Sequence, residues 1–398
     1  MGYATLVRTL LSCFVALGFI AEGCGFSGGD PDMKPPPAAP PAPPKTEAPP
    51  PAAPAPAAPP DAGLKPPPPL AADRSEAGVA HGAELYGRIC SVCHGAHGEG
   101  YKADQAPALG NQAYLATVSD EFLRVAIENG RAGTVMSAWS VQFGGPLQAA
   151  DVAAVLGFLR SWQKQPAIEL DEKPMRGAAF SGASIFSREC AKCHGPKGPN
   201  LRLMNPQLLE HASPGFLRHA IRNGRPPTSM PAYAQSLGER GVEDVVAYLT
   251  TLAKSPALQQ AGVVELPKPF ARNAVPLNPR GREPRDFTAL PEFTSVDVVA
   301  RELKAGAKMT LLDARAPSDY AREHIKGAVN IPFYDPSPFF DKLPKKGWLV
   351  CYCGCPHAES GALAQKLSEA GFTQVTVLNE GLGDWMTKGH PMRSGALP

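Results

Sequence analysis

The chain has 398 residues, a length that fits two to three domains. Its 39 lysines and arginines nearly balance 37 aspartates and glutamates, so the charge gives no signal for a polyanion or nucleic-acid partner. Proline is abundant at 45 residues and crowds the N-terminal part, which marks a region without a packed core.

Residues 1–23 carry a basic residue, Arg8, and then an apolar run over 10–21 that is too short to span a bilayer. Glu22, Gly23, Gly28, Gly29 and Asp30 follow at once, as after a secretion signal. Cleavage after Ala21-Glu22-Gly23 leaves Cys24 first. The segment resembles a bacterial lipoprotein signal, which implies lipidation of Cys24 and a membrane anchor; an ordinary signal-peptidase cut at the same bond is the alternative. Residues 24–75 read as a tether in which 31–70 are mostly Pro and Ala, with no apolar pattern to bury. Forty residues in polyproline geometry, at roughly 3.1 Å each, extend on the order of 100 Å as a semi-rigid tether. A disordered leader with no mechanical role is the other reading.

The motif Cys90-Ser91-Val92-Cys93-His94 follows and returns as Cys190-Ala191-Lys192-Cys193-His194. Two thiols three positions apart share one helical turn, spaced to bond the two vinyl groups of a haem, and the next residue supplies a proximal imidazole. A zinc ribbon needs its cysteine pairs about 20 residues apart; here they lie a domain apart and each ends in His. Two covalently bound c-type haems are therefore expected.

Residues 78–165 and 176–256 read as copies of one helical design. Phe122-Leu-Arg-Val-Ala-Ile-Glu-Asn-Gly-Arg131 repeats as Phe216-Leu-Arg-His-Ala-Ile-Arg-Asn-Gly-Arg225, and Met136 and Met230 follow at equal offset. Each copy closes with an amphipathic helix, expected at 150–162 and 242–252, with apolar residues at i, i+3, i+4 and i+7. These features resemble class I cytochrome c. The resemblance implies Met136 and Met230 as distal ligands opposite His94 and His194, with Met204 and His211 as competitors in the second copy. It also implies that the Pro107 carbonyl orients His94; the second copy offers only Pro199-Asn-Leu201 there. His97 is too close to the proximal His to reach the same iron and is expected in an exposed loop, and nothing supports His81 or His219 as ligands. His/Met ligation leaves no open coordination site, which favours electron transfer over oxygen chemistry. A dihaem peroxidase, the weaker reading, needs a five-coordinate or His/His haem.

Residues 257–290 read as a Pro/Arg/Asn-rich linker; its basic run, 279–285, is expected to be solvated or to dock an acidic partner. From 291 to 397 the period changes. A helix capped at Thr294/Ser295 over 296–303 precedes short apolar runs at 309–312, 328–331, 348–352 and 375–378, interleaved with helices: an α/β domain with a parallel sheet. Asp313-Ala-Arg315, Asp319-Tyr320, the stretch from His324 to Pro332 and the ending Glu380-Gly-Leu-Gly-Asp-Trp385 resemble a single-domain rhodanese. The fold class expected is thus two all-α cytochrome c domains followed by an α/β rhodanese-like domain.

The strand 348–352 runs into Cys353 and a loop before a helix over 358–370. A thiol there, ringed by loop amides and facing a helix N-terminus, has a stabilised thiolate that can carry sulfane sulfur as a persulfide. Cys353 is the catalytic candidate; Cys351 is expected buried, and Cys355 either resolves the persulfide or is a spectator. The loop Cys353-Gly-Cys-Pro-His-Ala-Glu359 lacks the family's usual cation, and Glu359 stands where related phosphatase loops place Arg. The expectation is an exported, membrane-anchored electron carrier with respiratory redox partners, a sulfane-sulfur donor and no nucleic acid. A rhodanese fold serving only for docking is the alternative.

Overall fold

A computed structural model describes residues 71–100, 105–131, 134–196, 198–254, 266–267, 276–355 and 357–398. The expected signal, Cys24 and nearly all of the tether lie outside the described residues. Among those described, no helix is long and apolar enough to cross a membrane.

Ser75 starts the first helical unit: its Oγ accepts from Gly78 N at 3.0 Å and caps α1 (Glu76–Leu85). The helix widens into a π turn at Tyr86–Cys90, where the Ser91 N–H bonds to the Tyr86 carbonyl, and continues as α2 (Ser91–His94). The first thiol pair thus ends a continuous helical rod. After α3 (Gln112–Leu115), Ser119 caps α4 (Asp120–Asn129) with two acids in the first turn, and α5 (Ala149–Ser161) closes the unit. Leu85, Tyr86, Ile89, Leu123, Ile127, Val152, Val155, Leu156 and Leu159 fill its centre.

The second unit repeats the plan. The helix α6 (Ala179–Ile185), a π turn at Phe186–Cys190 and α7 (Ala191–His194) carry the second thiol pair. Then come α8 (Pro206–Glu210), α9 (Pro214–Asn223) and α10 (Ala234–Ala253), the last interrupted at Gly238. In both units the first and last helices cross at a glycine. A Cβ on Gly82 would stand 2.0 Å from the Ala154 carbonyl oxygen, and one on Gly182 only 1.9 Å from that of Asp244. No other residue type permits so close an approach. The two units meet through Phe216, which packs on Tyr114 and Phe122 with ring centroids 6.3 and 5.5 Å away.

The α/β domain begins before its first helix. Leu277 bridges to Met309, the Arg282 guanidinium donates to Glu302 at 2.7 Å, and the Arg285 amide donates to the same carboxylate oxygen at 2.9 Å. The basic run expected in a solvated connector is therefore folded onto the domain. Ser295 caps α11 (Val296–Lys304), accepting from Val298 N. In chain order follow β1 (Met309–Asp313), α12 (Pro317–Arg322), β2 (His324–Ile325), β3 (Val329–Asn330), β4 (Trp348–Tyr352), α13 (Ala358–Glu369), β5 (Val375–Val377), α14 (Gly381–Thr387) and β6 (Met392–Arg393). The main sheet has the order β3-β1-β4-β5 with every pair parallel, while β2 and β6 form a small antiparallel pair. Strands β1 and β4 sit inside this sheet with nearly every residue buried, as their unbroken apolar spelling requires. The α/β domain meets the first helical unit where Trp139 packs edge-on against Tyr334 and Phe333, and where the Ser137 hydroxyl donates to Asp319.

Two outcomes follow. Gly82→Ala forces the crossing helices apart and is expected to lower unfolding free energy by about 1–3 kcal/mol, the usual cost of overpacking, measured by denaturant titration. Gly361→Ala, with open space around it, is the control and should lose nothing. Hydrogen bonds from Arg282 and then Arg285 hold the Glu302 carboxyl down at about 2, against an ordinary 4.5. A lowered folded value means stability present above pH 4.5 that fades as pH falls toward 2. The urea midpoint of wild type should therefore exceed that of Glu302→Gln at pH 6, and the gap should shrink between pH 4.5 and 2.

Candidate haem and thiol sites

Each thiol pair is set at the end of its helix with the imidazole just beyond. His94 is buried, and its Nδ1 donates to the Pro107 carbonyl at 3.0 Å; His194 Nδ1 donates to the Leu201 carbonyl at 2.7 Å. Burial, the larger effect in both, lowers the imidazole pKa against these bonds and keeps the rings neutral. With Nδ1 bearing the proton, Nε2 carries the lone pair. The expected Pro107 contact is present, and the second copy uses Leu201, the last residue of the short stretch that stood in for it. Burial pushes the Cys90 thiol up to about 12 and the Cys190 thiol up to about 11.

The methionine loops are built alike. The helix before each ends at a glycine with positive φ, Gly130 at 62° and Gly224 at 66°, where any Cβ would meet the methionine carbonyl oxygen at 2.5 Å. Arg131 N donates to the Met136 carbonyl at 2.9 Å, and Arg225 N to that of Met230 at 3.1 Å. Thr134 and Thr228 close the turn, each donating its hydroxyl to the arginine carbonyl and accepting from the methionine amide. Met136 and Met230 are partly buried, whereas the competitors Met204 and His211 are exposed. His97 is exposed as expected, and His81 is bonded to Asp151 at 2.7 Å.

Strand β4 delivers Cys353 to the carboxyl edge of the parallel sheet, where open α/β sheets place their sites. Its Sγ lies 2.6 Å from the Cys355 carbonyl oxygen, 3.3 Å from Cys355 Sγ and 3.3 Å from Ser360 Oγ. Cys353 is fully buried, as are Cys351 and Cys355. Burial, then the Cys355 thiol, push the Cys353 thiol well above the ordinary cysteine range, opposed only by the Ser360 hydroxyl and amide. This corrects the expected thiolate. The nearest loop group is a carbonyl rather than a ring of amides, so Cys353 rests as a neutral thiol. Glu359 is also buried; desolvation, then Cys353 and Asp319, raise its carboxyl well above the usual range against Arg315. Arg315 lies beside Gly354 but forks onto Asp313, at 2.9 and 2.6 Å, and donates to the Glu323 carbonyl.

One residue and one juxtaposition were missed in the sequence. Ser360 is one, a small polar residue inside the helix that follows the loop. The other is the juxtaposition of Cys355 with Cys93, which face each other where α13 packs on α2. Nothing in either motif signals a contact across that separation.

Family models match three successive segments: cytochrome c over 79–163, the cbb3-type cytochrome c oxidase subunit III over 177–249, and the rhodanese-like domain over 295–388. Cytochrome c6 of Synechococcus is 30% identical over 105 residues, covering 25% of this chain and 85% of that protein. The chain belongs to the c-type cytochromes and carries a rhodanese-like domain. This cytochrome is also 28% identical over 185 residues to the cbb3-type cytochrome c oxidase subunit FixP of Azorhizobium caulinodans, which covers 44% of the chain and 59% of that relative. It thus spans under two thirds of the FixP length. The rhodanese-like domain of an Anabaena protein matches 26% of the cytochrome and 78% of its own chain at 30% identity, with a TM-score of 0.24.

The residues present fit covalently bound haem. Each copy pairs two thiols with a neutral imidazole whose Nδ1 is already bonded, and each carries a partly buried thioether on a fixed turn.

Proposed function

We propose that this chain is an exported dihaem electron carrier whose rhodanese-like domain takes sulfane sulfur at Cys353. The observation that supports the carrier half most directly is the doubled construction: a His held by a backbone carbonyl and a Met held by the same Gly-Arg-Thr turn, in both copies. In this reading Cys90 and Cys93 would hold one haem and Cys190 and Cys193 the other, with His94 and His194 offering Nε2 and Met136 and Met230 their thioethers as iron ligands. Bound in this way, c-type haem supplies one-electron ferric/ferrous chemistry, with the soft thioether favouring the ferrous state. The respiratory character of the FixP relative supports respiratory redox partners. An anchor at Cys24 would hold the carrier at a membrane surface, with residues 24–75 as its reach.

For the sulfur half, Cys353 must first lose its proton, with the Ser360 hydroxyl and amide accommodating the thiolate. The thiolate then attacks the outer sulfur of a persulfide or polysulfide, the sulfur–sulfur bond of the donor breaks, and the shortened donor leaves as thiolate. The new persulfide passes its outer sulfur to an acceptor nucleophile. The complete burial of Cys353 and the buried acid beside it favour the second reading, a docking module without turnover.

Incubation with polysulfide separates the two. The sulfur reading expects the Cys353 peptide to gain the mass of one sulfur atom and Cys353→Ala to gain none; an unmodified wild type leaves the docking module. For the carrier half, Met136→Ala and Met230→Ala should each weaken the far-red charge-transfer band of Met-ligated ferric haem, and the double variant should abolish it. A band unchanged in the double variant would remove both methionines as ligands.

A further inference from the structure

Cys355 has no part in haem attachment and none in the sulfur-transfer step, yet it stands between the residues of both. Its Sγ is 3.3 Å from that of Cys353, and it faces Cys93 where α13 packs on α2. Gly354, between the two loop cysteines, lies against Val135, the neighbour of Met136. The loop is thus wedged between the first thiol pair and the first methionine turn. Both loop sulfurs are fully buried, so in this arrangement an external disulfide or thiol reaches them only if the loop first opens.

We propose that Cys353 and Cys355 form a two-electron dithiol–disulfide couple that delivers its electrons to the haem attached through Cys93. Forming the bond draws the sulfurs from 3.3 Å to the disulfide length of about 2.05 Å, a movement of roughly 1.3 Å within one short loop. Two thiols lose two protons, which leave to solvent, and two electrons, which reduce ferric haem iron one at a time. The first electron moves on to the second haem before the next arrives, so a two-electron donor is matched to one-electron carriers. The direction is favourable, because protein dithiols oxidise well below the potential of haem held by His and Met. Glu359, its ionised form disfavoured by burial and by Cys353, keeps uncompensated negative charge away from the pair. The couple rests on haem attachment at Cys93 but not on sulfur transfer at Cys353.

The test uses holoprotein reduced anaerobically, desalted, and mixed with one equivalent of ferricyanide per haem. The ferrous bands should vanish and then return without added reductant, and after denaturation the 353/355 peptide should be two hydrogens lighter and resist alkylation. Cys355→Ser should stay ferric. Haem that stays ferric in wild type, with both loop thiols alkylated, overturns the couple; so does a return of the ferrous bands with both thiols intact, since the electrons then come from elsewhere. The mass of haem on the Cys93 peptide is read in the same digest, so failed attachment is told apart from a failed couple. Should Cys355→Ser not fold, the thiol count of wild type before and after oxidation decides alone.

Discussion

Each helical unit hangs on one crossing. In the first, α1 meets α5 at Gly82, with the Ala154 carbonyl where a side chain would begin; in the second, α6 meets α10 at Gly182 against Asp244. That contact fixes the angle and height of the first helix, and the thiol pair rides at the helix end. The π turn adds one residue to the helix just before the first cysteine of each pair, rotating the motif relative to the crossing. The aromatic at the start of that turn then packs back on the last helix. Tyr86 lies edge-on to Trp162 with centroids 5.1 Å apart, and Phe186 lies 5.5 Å from Tyr248. A glycine, a π turn and an aromatic suffice to place a thiol pair and an imidazole.

The same logic governs the methionine side. The backbone of Gly130 or Gly224 takes a conformation open only to glycine at low cost, and the methionine carbonyl fills the space a Cβ would need. The arginine amide then holds that carbonyl, and a threonine ties the turn. Arg131 also lies over the Phe122 ring at 4.7 Å, and Arg225 over Phe216 at 4.9 Å. Each turn is thereby tied to the helix that precedes it. Because Phe216 also packs on Tyr114 and Phe122 of the first unit, the second methionine turn is anchored at the junction between units.

What the sequence disclosed divides along physical lines. The segment carrying Cys90, Cys93 and His94 is legible because its residues hold a fixed local spacing on one helix, and the matching turns at Met136 and Met230 because the same stretch is written twice. Strand β4 was legible at its full length because a strand buried on both faces has an unbroken apolar run. The carbonyl for His194 was less so: Leu201 serves as Pro107 does, by backbone position, and a carbonyl has no spelling. The protonation state of Cys353 was misjudged for a related reason. A strand end before a helix suggests amides and a favourable dipole, but charge depends on what covers the sulfur. Here the cover is Cys355, Glu359 and the first helical unit, brought together only by tertiary packing.

The junction of Cys93 with Cys355 changes how the fusion itself is read. Two domains joined by a connector need share nothing beyond a chain, and a docking module would present its recognition surface outward. Here the loop at the end of the central strand turns inward, against the helix that bears a thiol pair, with Trp139 and Ser137 of the methionine loop fastening the contact from the other side. Burial of that loop is costly for sulfur donors, which must reach Cys353, and irrelevant to electrons, which need only proximity. A site sealed from solvent but packed against a neighbouring thiol pair is better suited to passing charge than to exchanging groups. For group transfer to occur at Cys353, the packing of the loop and α13 against the first helical unit would have to open first, so sulfur chemistry and electron transfer would belong to different arrangements of the same two surfaces.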